Sequence, residues 1–166
     1  MPRSSSRAAE AAGGQGGGGG APLDARGVEP LLGYLIALAE TQTRRLFQRA
    51  IGDPLGLRPV EFTLLALLRD NGSATPKQFG SALRLPAPHV TTLIDRLAER
   101  GLVERQPHPD DRRAVRIVLT AAGVALAVRA GEAAQTMEAP LLEVLTPAEL
   151  ARLQRLLLKL VRAEGS

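Results

Sequence analysis

Cysteine and tryptophan are absent from this 166-residue chain, aromatic residues make up only 2%, and histidine occurs twice. The missing thiol excludes disulfides, thiolate metal sites, a cysteine nucleophile and thiol redox sensing together. With so few rings, the core must be assembled from Leu, Val, Ile and Ala, a composition that favours helices over strand sandwiches. His89 and His108 do not make a metal set, because one is expected on an outward helix face and the other on a turn. The serines lie in the N-terminal segment, at Ser73, at Ser81 and at Ser166, and no nucleophile–base–orienter spacing emerges, so no enzyme is expected. The run from Gly13 to Gly20 lacks the lysine and the strand–helix flanks of a phosphate loop. No apolar run reaches the roughly 18 residues of a membrane span. Arg3 and Arg7 are not followed by the apolar core of a signal peptide. The expectation is a cytoplasmic protein that does not engage a membrane and carries no metal and no cofactor.

What is present divides the chain. Residues 1–27 are rich in Ser, Gly, Ala and Arg, cannot bury enough apolar surface to offset ordering entropy, and are expected to form a disordered tail. Residues 28–166 form the folded part. Hydrophobic residues reach 45% of the chain, and 21 basic against 17 acidic residues leave a net charge of +4, compatible with a nucleic-acid partner without requiring one. A helix is predicted from Glu29 or Pro30 to about Ile51, with Leu31, Leu35, Leu38 and Leu46 at helical spacing and Gly52, Asp53, Pro54 and Gly56 breaking it. A second spans about Pro59 to Asp70, with Phe62, Leu65, Ala66 and Leu68 facing inward. Ser73–Thr75 is an extended link.

The centre of the chain carries the most information. Thr75-Pro76 opens a short helix through Leu83 with a hydroxyl cap and proline in the first turn. Arg84-Leu85-Pro86 turns the chain, and a longer helix runs from Ala87 to about Arg100. There Val90, Leu93, Ile94 and Leu97 form an amphipathic stripe, with His89, Thr92, Arg96 and Arg100 opposite and Thr91 and Asp95 between. Two helices joined in this way read as helix-turn-helix. Gly101 is a helix-ending glycine. Two alternating strands, Leu102–Gln106 and Val115–Leu119, flank HPDDRR, making a hairpin with a basic tip. The arginines at 105, 112, 113 and 116 suit a phosphate backbone or a narrow minor groove, with Asp111 bracing one of them. Surface ion pairs contribute only about 0–1 kcal/mol, so stability alone gives little reason for the cluster. A helix from Ala121 to about Glu138 follows, ended or kinked by Pro140. The last helix opens with a Thr146–Glu149 capping box and shows Leu150, Leu153, Leu157 and Leu160 at heptad-like spacing. A stripe this wide is read, with the first helix, as a dimer interface, against the alternative of packing within one subunit.

LRPVEFTLLALL, VTTLIDRLAERGLVER, DDRRAVRIVLTAAG and LTPAELARLQRLLLKL together resemble the MarR family, over about Leu31 to Val161. The third segment is the most specific, with Asp111, Arg113, Leu119-Thr120 and Gly123 matching the family's wing. The resemblance implies a mostly α fold with a small β-hairpin wing, a winged helix-turn-helix over residues 57–120, and dimerisation helices over 28–52 and 121–166. It implies a homodimeric repressor on a palindromic double-stranded DNA operator, released by a small aromatic or phenolic ligand. The DNA-contacting set would be Thr75, Ala87, Pro88, His89, Thr91, Thr92, Arg96, Arg112, Arg113 and Arg116. Tyr34, Phe47 and Phe62 would be the pocket candidates, with core packing an equal alternative for each. Pro86 stands where the family often has a capping serine. His89 and Thr92 replace the family's usual Ser/Thr and Arg, so operator preference is expected to differ. The absent cysteine argues against the peroxide-sensing branch, and the scarce histidine against the zinc-sensing one. The other reading of the residues is a winged-helix protein-interaction module with no operator of its own.

Overall fold

The computed structural model describes residue 24 and residues 26–107 and 114–163. The tail expected over residues 1–27 therefore lies outside it, except for Asp24, Arg26 and Gly27. Outside it too are His108 and the hairpin tip with Asp111, Arg112 and Arg113. The chain divides into two compact units, residues 1–37 and 38–166. In the first, a turn over residues 26–30 leads into helix α1 (Leu32–Phe47), which continues into the second.

The second unit is helical around a small sheet. After α1 come a π-helical turn (Gln48–Gly52), a short helix α2 (Asp53–Leu55), α3 (Pro59–Asn71), β1 (Ser73–Ala74), α4 (Pro76–Leu83) and α5 (Ala87–Glu99). Then follow β2 (Val103–Pro107), β3 (Val115–Leu119), α6 (Ala121–Met137), a 3-10 turn (Ala139–Glu143) and α7 (Pro147–Ala163). The sheet is antiparallel in the order β1-β3-β2, with Ala74 opposite Ile117 and Arg105 opposite Ile117 on the other side.

Local chemistry fixes most boundaries. In α4, the Thr75 hydroxyl accepts from the Gln78 amide at 3.3 Å, while the Gln78 side-chain carbonyl accepts from the Thr75 amide at 2.7 Å. Thr146 and Glu149 make the same reciprocal cap on α7, at 3.3 and 2.8 Å. Gly101, at φ 67°, lets the chain leave α5 and enter β2. The core joins Ile51, Leu57, Leu64, Leu65, Leu68 and Phe79 to Val90, Ile94, Leu97 and Ile117, each 3% exposed or less. The whole α5 stripe is buried as its spacing predicts.

Three expectations need correction. Gly52, Asp53 and Pro54 do not break the helix. The backbone widens into a π turn and stays helical to Leu55, and Gly56, left-handed at φ 61°, ends it. Pro54 is tolerated because it sits in the first turn of α2, where its missing N–H is no loss. The buried face of α3 is Glu61, Leu64, Leu65 and Leu68, with Phe62 and Ala66 only half-buried. Ser73-Ala74 is a strand paired to β3 rather than a bare link.

Candidate nucleic-acid interface

The α4–turn–α5 unit holds the candidate reading surface. Arg84 ends α4 in the left-handed region, at φ 51°, and the Leu85 amide returns to the Gly80 carbonyl at 3.0 Å. Pro86 caps α5 with backbone alone: its carbonyl accepts from the His89 and Val90 amides at 3.0 and 3.2 Å. Pro88 has no N–H to give. The helix start therefore offers few free amides to a phosphate.

Outward from this start, Ala87, Pro88, His89, Thr91 and Thr92 are exposed. The Thr91 and Thr92 hydroxyls donate back to the Ala87 and Pro88 carbonyls at 3.1 and 3.0 Å. Their protons are used within the helix, and their lone pairs remain outward to accept from a base edge. Thr75 is occupied as the α4 cap. The burial of Val90, Leu93, Ile94 and Leu97 holds the opposite face of α5 down, so these polar groups share one rigid surface.

Arg96 sits differently from its neighbours. Its Nη1 lies 3.7 Å from Oε1 of Glu61, and Arg100 Nη1 lies 3.3 Å from Oε2 of the same carboxylate. Glu61 also accepts from the Arg58 amide at 2.9 Å, capping α3. Sequence reasoning misses both the burial of this glutamate and its two arginine partners. The only signal is its third-position placement after Arg58-Pro59, which reads as a cap and not as a partner for α5.

On the hairpin, Arg105 of β2 pairs with Asp95 of α5, joining strand to helix. Arg116 Nη2 donates to Gln106 Oε1 at 3.0 Å across the β2–β3 ladder, while its Nε is buried with no partner among the described residues. Arg116 is thus partly inside the sheet surface, and the tip arginines 112 and 113 lie beyond the described residues. Phe47 and Phe62 meet edge-to-face at 5.8 Å, Phe47 being only 6% exposed, so both rings pack with the core. Tyr34, in the unit before Leu38, is half-buried.

The MarR family model matches residues 57–115. The multiple antibiotic resistance protein MarR of Salmonella typhimurium is 31% identical over 131 residues, covering 78% of this chain and 90% of that protein. The chain belongs to the MarR family. Its members are transcriptional regulators rather than enzymes, and their fold, mostly helical with a small antiparallel sheet, is the one described above. Among solved MarR-like structures, the transcriptional repressor CouR bound to a 23-mer DNA duplex aligns with a TM-score of 0.79 and 29% identity. That alignment covers 86% of this chain and all of CouR. BpsR of Bordetella bronchiseptica, whose DNA binding is regulated by 6-hydroxynicotinic acid, aligns with a TM-score of 0.69 and 30% identity, over 78% of this chain and 98% of BpsR. This MarR-family chain is a DNA-binding transcriptional regulator. Among the described residues, no helix is long and apolar enough to cross a membrane.

Proposed function

We propose that this chain is a homodimeric repressor of a palindromic operator, placing α5 in the major groove and the β2–β3 hairpin over the adjacent minor groove. The observation that carries the reading is the exposed edge formed by His89, Thr91 and Thr92 on a helix whose other face is fully buried. The likeness to CouR, a repressor solved on a 23-mer duplex, supports a duplex DNA partner. Residues 57–120 are the DNA-gripping part, and Arg112 and Arg113 are its candidate phosphate contacts, with Asp111 the candidate brace for one of them.

Dimerisation draws on α7 and α1. Leu153, Leu156, Leu157 and Leu160 are 37–49% exposed on α7, and Leu35 and Leu38 are about half exposed on α1. Apolar surface of this extent on a monomer marks a contact with a partner. A second copy fits best, because two reading helices then address two half-sites about one DNA turn apart.

Release follows from population shift: a small aromatic ligand, of the kind named for BpsR, favours a dimer whose reading helices no longer match the half-sites. A coupling of about 1–3 kcal/mol would change affinity roughly 5- to 150-fold.

The test is a titration of labelled duplex from upstream of the protein's own gene, at several salt concentrations, together with selection from a random-sequence pool. Arg113→Ala should weaken binding and lower the salt slope by about 0.9 for each phosphate that is no longer neutralised. His89→Ala and Thr92→Ala should change the selected bases. A wild-type protein that selects no sequence, or variants that select the wild-type one, would refute the assignment.

A further inference from the structure

Among the described residues, Glu61 is the only charged side chain that is buried, at 2% exposure. Its carboxylate faces a cleft of about 360 Å³ bounded by Gln48, Gly56, Arg58, Arg96 and Arg100. Two of those arginines come from the reading helix and its end. Arg96 lies on α5 and Arg100, four residues on, caps it, and both guanidinium groups reach Glu61 of α3. Their side chains remain 40% and 34% exposed. Among the described residues, Glu61 is the one carboxylate that holds them from solvent.

A buried carboxylate stripped of its cations is costly, because its charge is left uncompensated in a site largely removed from water. A DNA phosphate that draws Arg96 or Arg100 outward must therefore also leave Glu61 uncompensated. Phosphates occur on every duplex and carry no sequence information. A device that withholds cations from phosphates weakens binding to all DNA alike, while contacts to base edges keep their full value. The sequence-independent grip on DNA is thereby lowered.

Resting on the operator reading above, we propose that Glu61 is a positioning residue that limits the sequence-independent grip on the DNA backbone. It holds Arg100 and the inner edge of Arg96 away from the DNA backbone, and discrimination is left to His89, Thr91 and Thr92. Glu61 touches no base itself. It acts through the two arginines and through the seat of α5 on α3.

The experiment compares wild type, Glu61→Gln, Arg100→Gln and the double variant as full-length proteins. Each is titrated with the duplex that the wild type selects from a random pool and with a scrambled duplex of the same composition, across about 50–200 mM salt. The amide introduced by Glu61→Gln retains an oxygen for the Arg58 amide, so the α3 cap survives while the charge is removed. The expected result is tighter binding of Glu61→Gln to both duplexes, by a similar factor. Its salt slope steepens by about 0.9 for each freed arginine, which adds roughly 3.5-fold to the change in Kd over that range. The double variant loses part of the added slope. Arg100→Gln alone keeps the wild-type slope, since Arg100 makes no phosphate contact in the wild type. A purely structural role for Glu61 would instead weaken both duplexes at unchanged slope, and that outcome overturns the proposal. So does a flattened slope in Arg100→Gln alone, a result that does not depend on whether Glu61→Gln folds. A wild type that binds neither duplex overturns the operator reading and this inference with it. Wild-type binding with an unchanged slope in Glu61→Gln overturns this inference alone.

Discussion

Two glycines of α6 should respond in opposite ways to the same substitution. Gly123 lies where α6 starts against the end of α5: a Cβ there would sit 1.9 Å from the Leu102 carbonyl oxygen and 2.9 Å from its carbon. The obstacle is backbone, which cannot swing aside. Relief requires α6 to back away by roughly an ångström or more to reach ordinary van der Waals distance, and two hydrogen bonds cross that joint. The Thr120 amide donates to Leu102 O at 3.1 Å and the Thr120 hydroxyl donates to Gly101 O at 2.6 Å, while the Gly123 amide, donating to the Thr120 hydroxyl at 3.0 Å, caps α6 and moves with it. At about 1 kcal/mol for each crossing bond, with about 1–3 for overpacking and about 1 regained from alanine's helix propensity, Gly123→Ala should cost about 2–4 kcal/mol. At Gly131 the obstacle is the guanidinium tip of Arg69, 2.2 Å away on a side chain 38% exposed, free to move into solvent. Gly131→Ala should therefore be neutral or stabilising by up to about 1 kcal/mol. Urea denaturation followed by helix circular dichroism reads both, through the midpoint at constant m-value. Equal effects in the two variants, or a loss at Gly123 below about 1 kcal/mol, would refute the joint as described.

Two further predictions concern α7. Hydrogen bonds from the Thr146 hydroxyl and amide hold the Glu149 carboxyl below the usual carboxylate range. A folded-state pKa lowered in this way gives stability that is complete above the unfolded value and lost as pH falls through the folded one. Wild type should therefore exceed Glu149→Gln in thermal stability at neutral pH, with the gap closing in acid; a gap of constant size across that range would show that the charge plays no part. Leu157→Asp, in the middle of the exposed stripe, should shift the protein from dimer to monomer in sedimentation and weaken operator binding with it. An unchanged sedimentation coefficient would remove α7 from the interface.

How far these features can be read in advance depends on the range of the interaction behind each. The α5 stripe is legible because one buried face at helical spacing writes itself into four residues, Val90, Leu93, Ile94 and Leu97. The caps at Thr75 and Thr146 are legible because their partners lie three residues on. The continuation of helix through Gly52-Asp53-Pro54 is not, since those residues are breakers by local propensity and only tertiary burial of Ile51 and Gly52 overrides them. Strand β1 is two residues long, too short for an alternation to show, and exists because β3 offers an open edge at Ile117 and Val118. Of the candidate site, the exposed edge at His89 and Thr92 follows from helical phase. The setting of Arg96 does not follow from it.

Arg96 shows what helical phase alone leaves out for a charged residue on a reading helix. Helical spacing puts it on the same outward edge as His89 and Thr92. Its guanidinium, however, reaches past that edge to a carboxylate far earlier in the chain, at 3.7 Å. Glu61 in turn can be buried only because Arg96, Arg100 and the Arg58 amide converge on it. The phase of α3 turns with it: Glu61 and Leu64 go in, and Phe62, which a purely apolar reading would bury, is left half out to meet Phe47 edge-on. The seat of the reading helix on α3 and the charge it presents to DNA thus depend on one carboxylate. A substitution at Glu61 should accordingly register in the salt dependence of DNA binding, although the residue lies on neither the reading helix nor the hairpin.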